Sequence, residues 1–251
     1  MLANRYRKSI LALITASAIV AMIFIGRIPQ DPAYHQFADT RAIVGIPNFW
    51  NFISNVPFLL AGLYGLYRGR HLAEEKSRNA YLALCIGVLL VGIGSSYYHY
   101  APSTQSLLWD RLPMTIAFMA LFSLLLDERV ILGSTSRTLW PLIALGIGSV
   151  AYWYCTEISG YGDLRPYALV QFLPMALIPT ILLFFKRNYL NGLLLLSALA
   201  LYFVAKVFEH FDQQLFYSIG ILSGHTIKHL VASIAVLLII HAVPVSPDKR
   251  L

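Results

Sequence analysis

Charge is scarce in this chain of 251 residues: Asp, Glu, Lys and Arg make up 12% of it, against 58% hydrophobic residues and a mean hydropathy of +0.65. One soluble core of this length cannot hide so much apolar surface, which excludes a soluble globular enzyme. Cysteine is nearly absent. Cys85 and Cys155 lie in or near apolar runs and cannot build a disulfide framework. The net charge of +7 sits in short clusters between apolar stretches and not on one basic face, which excludes a disordered or nucleic-acid-binding chain. The runs also lack the alternating apolar and polar period of a barrel strand.

What is present is a series of about eight apolar runs, each near the roughly 20 residues that a helix needs to cross a bilayer. They fall near 9–26, 49–67, 79–98, 108–126, 138–155, 166–185, 190–208 and 223–243. Backbone groups in hydrocarbon must be satisfied internally, so the expected fold class is all-α and polytopic. Arg5, Arg7 and Lys8; Arg68, Arg70, Lys76 and Arg78; Arg129 and Arg137; Lys186 and Arg187; and Lys249 and Arg250 all fall on one side of such a bundle. Arg27, Arg41, Arg111, Arg165, Lys206 and Lys228 fall on the other, about thirteen against about six, which predicts both termini in the cytoplasm. The first run reads as a retained anchor helix, the alternative being a cleaved signal peptide. Residues 1–30 then form a basic segment and anchor, and 31–251 one bundle of seven helices.

Ionisable residues at membrane depth cost several kcal/mol each, so their positions carry information. His99 ends the third helix, Asp110 begins the fourth, Lys206, Glu209, His210 and Asp212 end the seventh, and His225 and His229 begin the eighth. All lie toward the predicted non-cytoplasmic side. His225 and His229 are four apart and project from one helical face, a spacing that suits two ligands of one metal ion. His99 would complete a three-histidine site with an open fourth position, the arrangement in which zinc acidifies its bound water. Asp110 returns to the same level, where a carboxylate can orient or deprotonate that water. Ser95, one turn before His99, can hydrogen-bond the water or an oxyanion. A plainer reading stands beside this: His99 in a run of tyrosines is an interfacial belt residue, and the histidine pair an interhelical hydrogen-bonder. Convergence of five such residues on one level favours the metal.

Gly94-Ser-Ser-Tyr-Tyr-His99, then Gln105, then Asp110-Arg-Leu-Pro-Met114, resembles the alkaline ceramidase pattern Ser-x-x-x-His, Gln and Asp-Glu-Leu-Pro-Met. His225-x-x-x-His229 resembles the closing His-x-x-x-His of that family, and Asn48-Phe-Trp-Asn-Phe-Ile-Ser-Asn55 its Glu-Phe-Trp-Asn-x-x-Ser-Asn opening. The motifs span about 49–230 in order, and the wider superfamily includes progestin and adipoQ receptors and haemolysin-III-like proteins. The resemblance implies a seven-helix hydrolase core, zinc held by His99, His225 and His229, Asp110 as general acid/base and Ser95 as oxyanion stabiliser. It implies hydrolysis of the amide of a ceramide-like N-acyl lipid taken from the bilayer, giving a fatty acid and a long-chain base. The competing expectation is a receptor-like protein in which the same zinc organises the bundle without turnover.

Three departures stand out. Arg111 replaces the glutamate after the aspartate, exchanging a negative neighbour for a positive one. Asn48 replaces a glutamate of the family's calcium site, whose oxygen ligands Asp31, Asp39 and Asn48 could supply in part. The extra first helix makes the chain look like a bacterial-type member, its site opening toward the periplasm. Among the other residues, Lys206 and Glu209 are spaced to pair, and Lys228 is expected on a different face from the histidines as a partner for a carboxylate or head group. His35 is expected at the surface or behind the ligands. Glu157, Asp163 and Arg165 are expected as ordinary loop charges. Trp50, Asn51 and Asn55 are expected to fasten the first core helix, and Pro57 to kink it.

Overall fold

A computed structural model describes residues 2–74, 77–132 and 135–246, so that Lys76, Lys249 and Arg250 of the basic clusters lie outside the described residues. The helices are α1 (Leu2–Phe24), α2 (Phe49–Ile53), α3 (Val56–Arg68), α4 (Arg78–Tyr100), α5 (Thr104–Arg129), α6 (Thr135–Ile158), α7 (Arg165–Phe184), α8 (Gly192–His210), α9 (Asp212–Ile219) and α10 (Gly224–Ala242). Among the described residues, eight spans are long and apolar enough to cross a membrane, and they coincide with the eight runs of the sequence. Leu60, Leu183 and Phe203 stay exposed on their outer faces, as lipid-facing side chains do. The protein is an all-α polytopic membrane protein.

Helix starts are written in the sequence. Ser103 and Ser106 form a reciprocal capping box at α5, Asn191 accepts from the backbone N–H groups of Leu193 and Leu194, and Ser223 accepts from Thr226. Pro57 sits in the first turn of α3, where its missing N–H costs nothing, and the span beginning at Phe49 is broken at Ser54–Asn55 instead of merely kinked.

Close approaches set the bundle. A Cβ on Gly94 would collide with the Trp109 carbonyl, and one on Gly224 with the Phe208 carbonyl, so α4 lies hard against α5, and α8 against α10. Both glycines stand within five residues of a predicted ligand. The anchor helix α1 packs on α7 and is fastened at its end: Arg165 donates to the carbonyls of Ile25 (2.8 Å) and Met22 (3.2 Å), satisfying acceptors that a helix C-terminus leaves free. Asp163, buried, holds that guanidinium at 2.8 Å, and Glu157 accepts from the Gln30 backbone at 3.0 Å. The three expected loop charges are therefore structural ties. At the opposite end of the bundle Glu128 accepts from the backbone of Asn188, Tyr189 and Leu190 and pairs with Arg129, fixing the α7–α8 connection.

Candidate metal centre and lipid chamber

His99 comes from the last turn of α4, and His225 and His229 from the first two turns of α10. All three are buried, and their ring centroids form a triangle with 4.9 Å on every side. One nitrogen from each lies within 4.8 Å of the others, and this is the only such group of metal-ligating side chains among the described residues. Nε2 of His99 and Nε2 of His225 are 3.3 Å apart. Nitrogens bound about 2.0–2.1 Å from a tetrahedral zinc stand roughly 3.3–3.4 Å apart, which is the spacing of this one pair.

The surroundings set the tautomer of one ring. Ser54 donates to the Asn51 carbonyl at 3.1 Å, and its oxygen is 2.8 Å from Nδ1 of His229. That oxygen accepts the Nδ1 proton, leaving Nε2 as a lone pair turned to the other rings, as metal-binding histidines require. Phe37 wedges against His99 and His225 with centroids at 4.6 and 4.8 Å. Asp212 accepts the His225 backbone N–H at 2.7 Å and that of Ala38 at 3.0 Å, so one carboxylate joins the start of α10 to the overlying loop. Asn51 accepts from Thr226 at 2.7 Å, tying α2 to α10. Sequence reading named Asn51 and Asp212 but gave no role to Ser54 or Phe37; Ser54 was visible within the Asn48–Asn55 motif.

His229 lines a chamber of about 400 Å³ together with Asp110, Ser95, Asn55, Tyr34, Arg111, Lys206 and Lys228. Ser95 and Asp110 share its wall. His225 lines a second hollow of about 270 Å³ with Phe37, Glu209 and Asp212, so the histidines stand between an inner chamber and an outer mouth. Inward, an almost wholly apolar cavity of about 140 Å³ shares Phe58, Met114, Gln171 and Tyr202 with the chamber wall, and Gln171 donates to Tyr202 at the junction. Tyr34 stands at the edge between the two hollows and lines both.

Several expectations meet a different geometry. The Arg111 guanidinium turns to Gln30 Oε1 (2.6 Å) and lies over the rings of Trp153 and Tyr167, so its charge sits on the chamber wall backed by aromatic rings. Lys206 does pair with Glu209, at 2.6 Å, but Lys228 joins the same carboxylate at 2.9 Å and reaches Nε2 of His225 at 3.0 Å. The i, i+3 spacing puts Lys228 beside His225 and not on a different face. His35 lies behind the site, its Nδ1 3.0 Å from the Tyr98 hydroxyl. Of the three residues expected to offer oxygen ligands to calcium, Asp31 caps the turn at Ala33, Asp39 is held by Arg41 at 2.6 and 2.8 Å, and Asn48 donates through its NH₂ to the His99 carbonyl at 2.8 Å.

The ceramidase family model matches residues 41–209, a stretch that holds Ser95, His99 and Asp110. The chain belongs to the ceramidase family. No curated protein and no solved structure gives a match. Two of the three clustered histidines, His225 and His229, stand beyond the matched stretch, and the fold unites them with the ceramidase-matched His99.

Proposed function

We propose that this ceramidase-family chain is a zinc-dependent amidohydrolase cleaving the amide of ceramide-like N-acyl lipids to a free fatty acid and an amine. The observation that carries the proposal is the buried triangle of His99, His225 and His229 opening on a chamber that also holds Asp110 and Ser95. Three neutral imidazoles fit a zinc ion with one position left open. When bound there, the ion supplies carbonyl polarisation and acidified water.

The chain's own residues supply the rest. The apolar cavity beyond Gln171 and Tyr202 receives an acyl chain, which brings the amide to the histidine level. Asn55 lines the chamber, is fully buried, gives its NH₂ to the Asn51 carbonyl at 2.8 Å, and holds an enclosed Oδ1 without a partner. Ser95 donates to the oxygen on which negative charge develops. Asp110 takes a proton from the attacking water and delivers it to the amide nitrogen, so that a C–O bond forms as the C–N bond breaks and the amine leaves neutral. The reading also places both termini in the cytoplasm and the chamber toward the non-cytoplasmic side, on the strength of the basic clusters.

Fatty-acid release from a panel of N-acyl lipids by the detergent-purified protein, with His225→Ala as the paired control, tests the proposal. Release by the wild type that disappears in the variant is the expected result. No release from any lipid with zinc still bound would replace it with the receptor-like reading.

A further inference from the structure

The chamber carries more positive charge than a neutral lipid needs. Lys206 and Lys228 share a single carboxylate, Glu209, at 2.6 and 2.9 Å, so this cluster holds one cation beyond what it balances. Arg111 adds another: it is 6% exposed, its hydrogen bond goes to the neutral Gln30, and its Nη1 has no partner. Lys206, Lys228 and Arg111 all line the same chamber as Asp110. Counting Glu209, three cations face two carboxylates, and the imbalance grows with any divalent ion held by the histidines. Charges at membrane depth cost several kcal/mol unless paired. A surplus of one sign beside a lipid-sized cavity is the electrostatic complement of a ligand of the other sign.

We infer that the N-acyl lipid taken by this site carries an anionic group, a carboxylate, sulfonate or phosphate, close to its amide. The inference rests on the amide-hydrolysis reading for the position of the amide. Lys206 and Lys228 hold the anion, with Glu209 keeping the two ammonium groups together, while Arg111 adds to the field of the wall. Removing either lysine leaves a one-to-one ion pair, and the attraction for an anion falls.

The test measures binding of N-palmitoylglycine, N-palmitoyltaurine and the neutral N-palmitoylethanolamine to the full-length protein in detergent, by ligand-dependent melting, with fatty-acid release followed in the same samples. The two anionic conjugates are expected to bind at least about tenfold tighter than the neutral one, the scale of a hydrogen bond to a charged group. That ratio is expected to fall toward one in Lys206→Gln and to return in Lys206→Arg, which separates the charge from the fold. Equal binding of all three lipids, or a preference unchanged in Lys206→Gln, overturns the inference. Release without anion preference overturns it and leaves the amidase reading intact; anion preference without release upholds the charge selectivity and overturns the amidase reading.

Discussion

Ser54 is the smallest group on which the proposed metal centre depends. Its hydroxyl accepts the Nδ1 proton of His229 and so decides which nitrogen of that ring is free. Ser54→Ala is expected to weaken zinc binding by about 10–100-fold while the protein still folds, because such outer partners orient ligands without carrying the bundle. Competition with a chromogenic chelator checks this, and unchanged affinity would show that packing alone orients His229. Asp163 makes a different prediction. Hydrogen bonds from Arg165, working against burial, hold its carboxyl down to about 2. A value below the ordinary carboxylate figure of about 3.9 means that the stabilisation is complete above about pH 5 and lost as pH falls from about 4 toward 2. The wild-type melting temperature is expected to fall through that window more steeply than that of Asp163→Asn; parallel profiles would contradict the tie between α7 and α1.

Among the elements, the contact of α4 with α5 matters most, because it places His99 and Ser95 opposite Asp110. Gly94 makes the contact possible, a Cβ there meeting the Trp109 carbonyl. Gly94→Ala is expected to cost about 1–3 kcal/mol, as overpacking does, and to lower hydrolysis more than the stability loss explains, since the helices must part at the level of the site. Paired measurements of melting and fatty-acid release decide this, and an active, fully stable variant would contradict it. The elements themselves were legible. Eight apolar runs near bilayer length and the i, i+4 histidines follow from local pattern, whereas the span expected to kink at Pro57 breaks before it. The surroundings of the site were less so. The turn of Arg111 onto aromatic rings depends on Gln30 from the loop after α1, Trp153 from α6 and Tyr167 from α7, partners that no local spacing announces. The expectation for Lys228 failed for a local reason: it stands three residues after His225, and i, i+3 side chains are neighbours on one side of a helix.

At the scale of the whole molecule, the three histidines, Asp110, Lys206 and Lys228 gather around one chamber with an apolar cavity beyond it, so a lipid's polar centre and its chain are received at different depths. The outer mouth beside Glu209 and Asp212 offers an exit for a polar product. Such a layout is the one expected of an enzyme that draws its substrate from the bilayer and returns at least one product to it. Its central claim is that the three histidines hold an ion on which amide cleavage depends. The most direct test is fatty-acid release from an N-acyl lipid by metal-stripped protein as zinc is added back. The account predicts no release in the stripped state and a rise that saturates near one zinc per chain, absent in His99→Ala. Full activity in the stripped protein would contradict it.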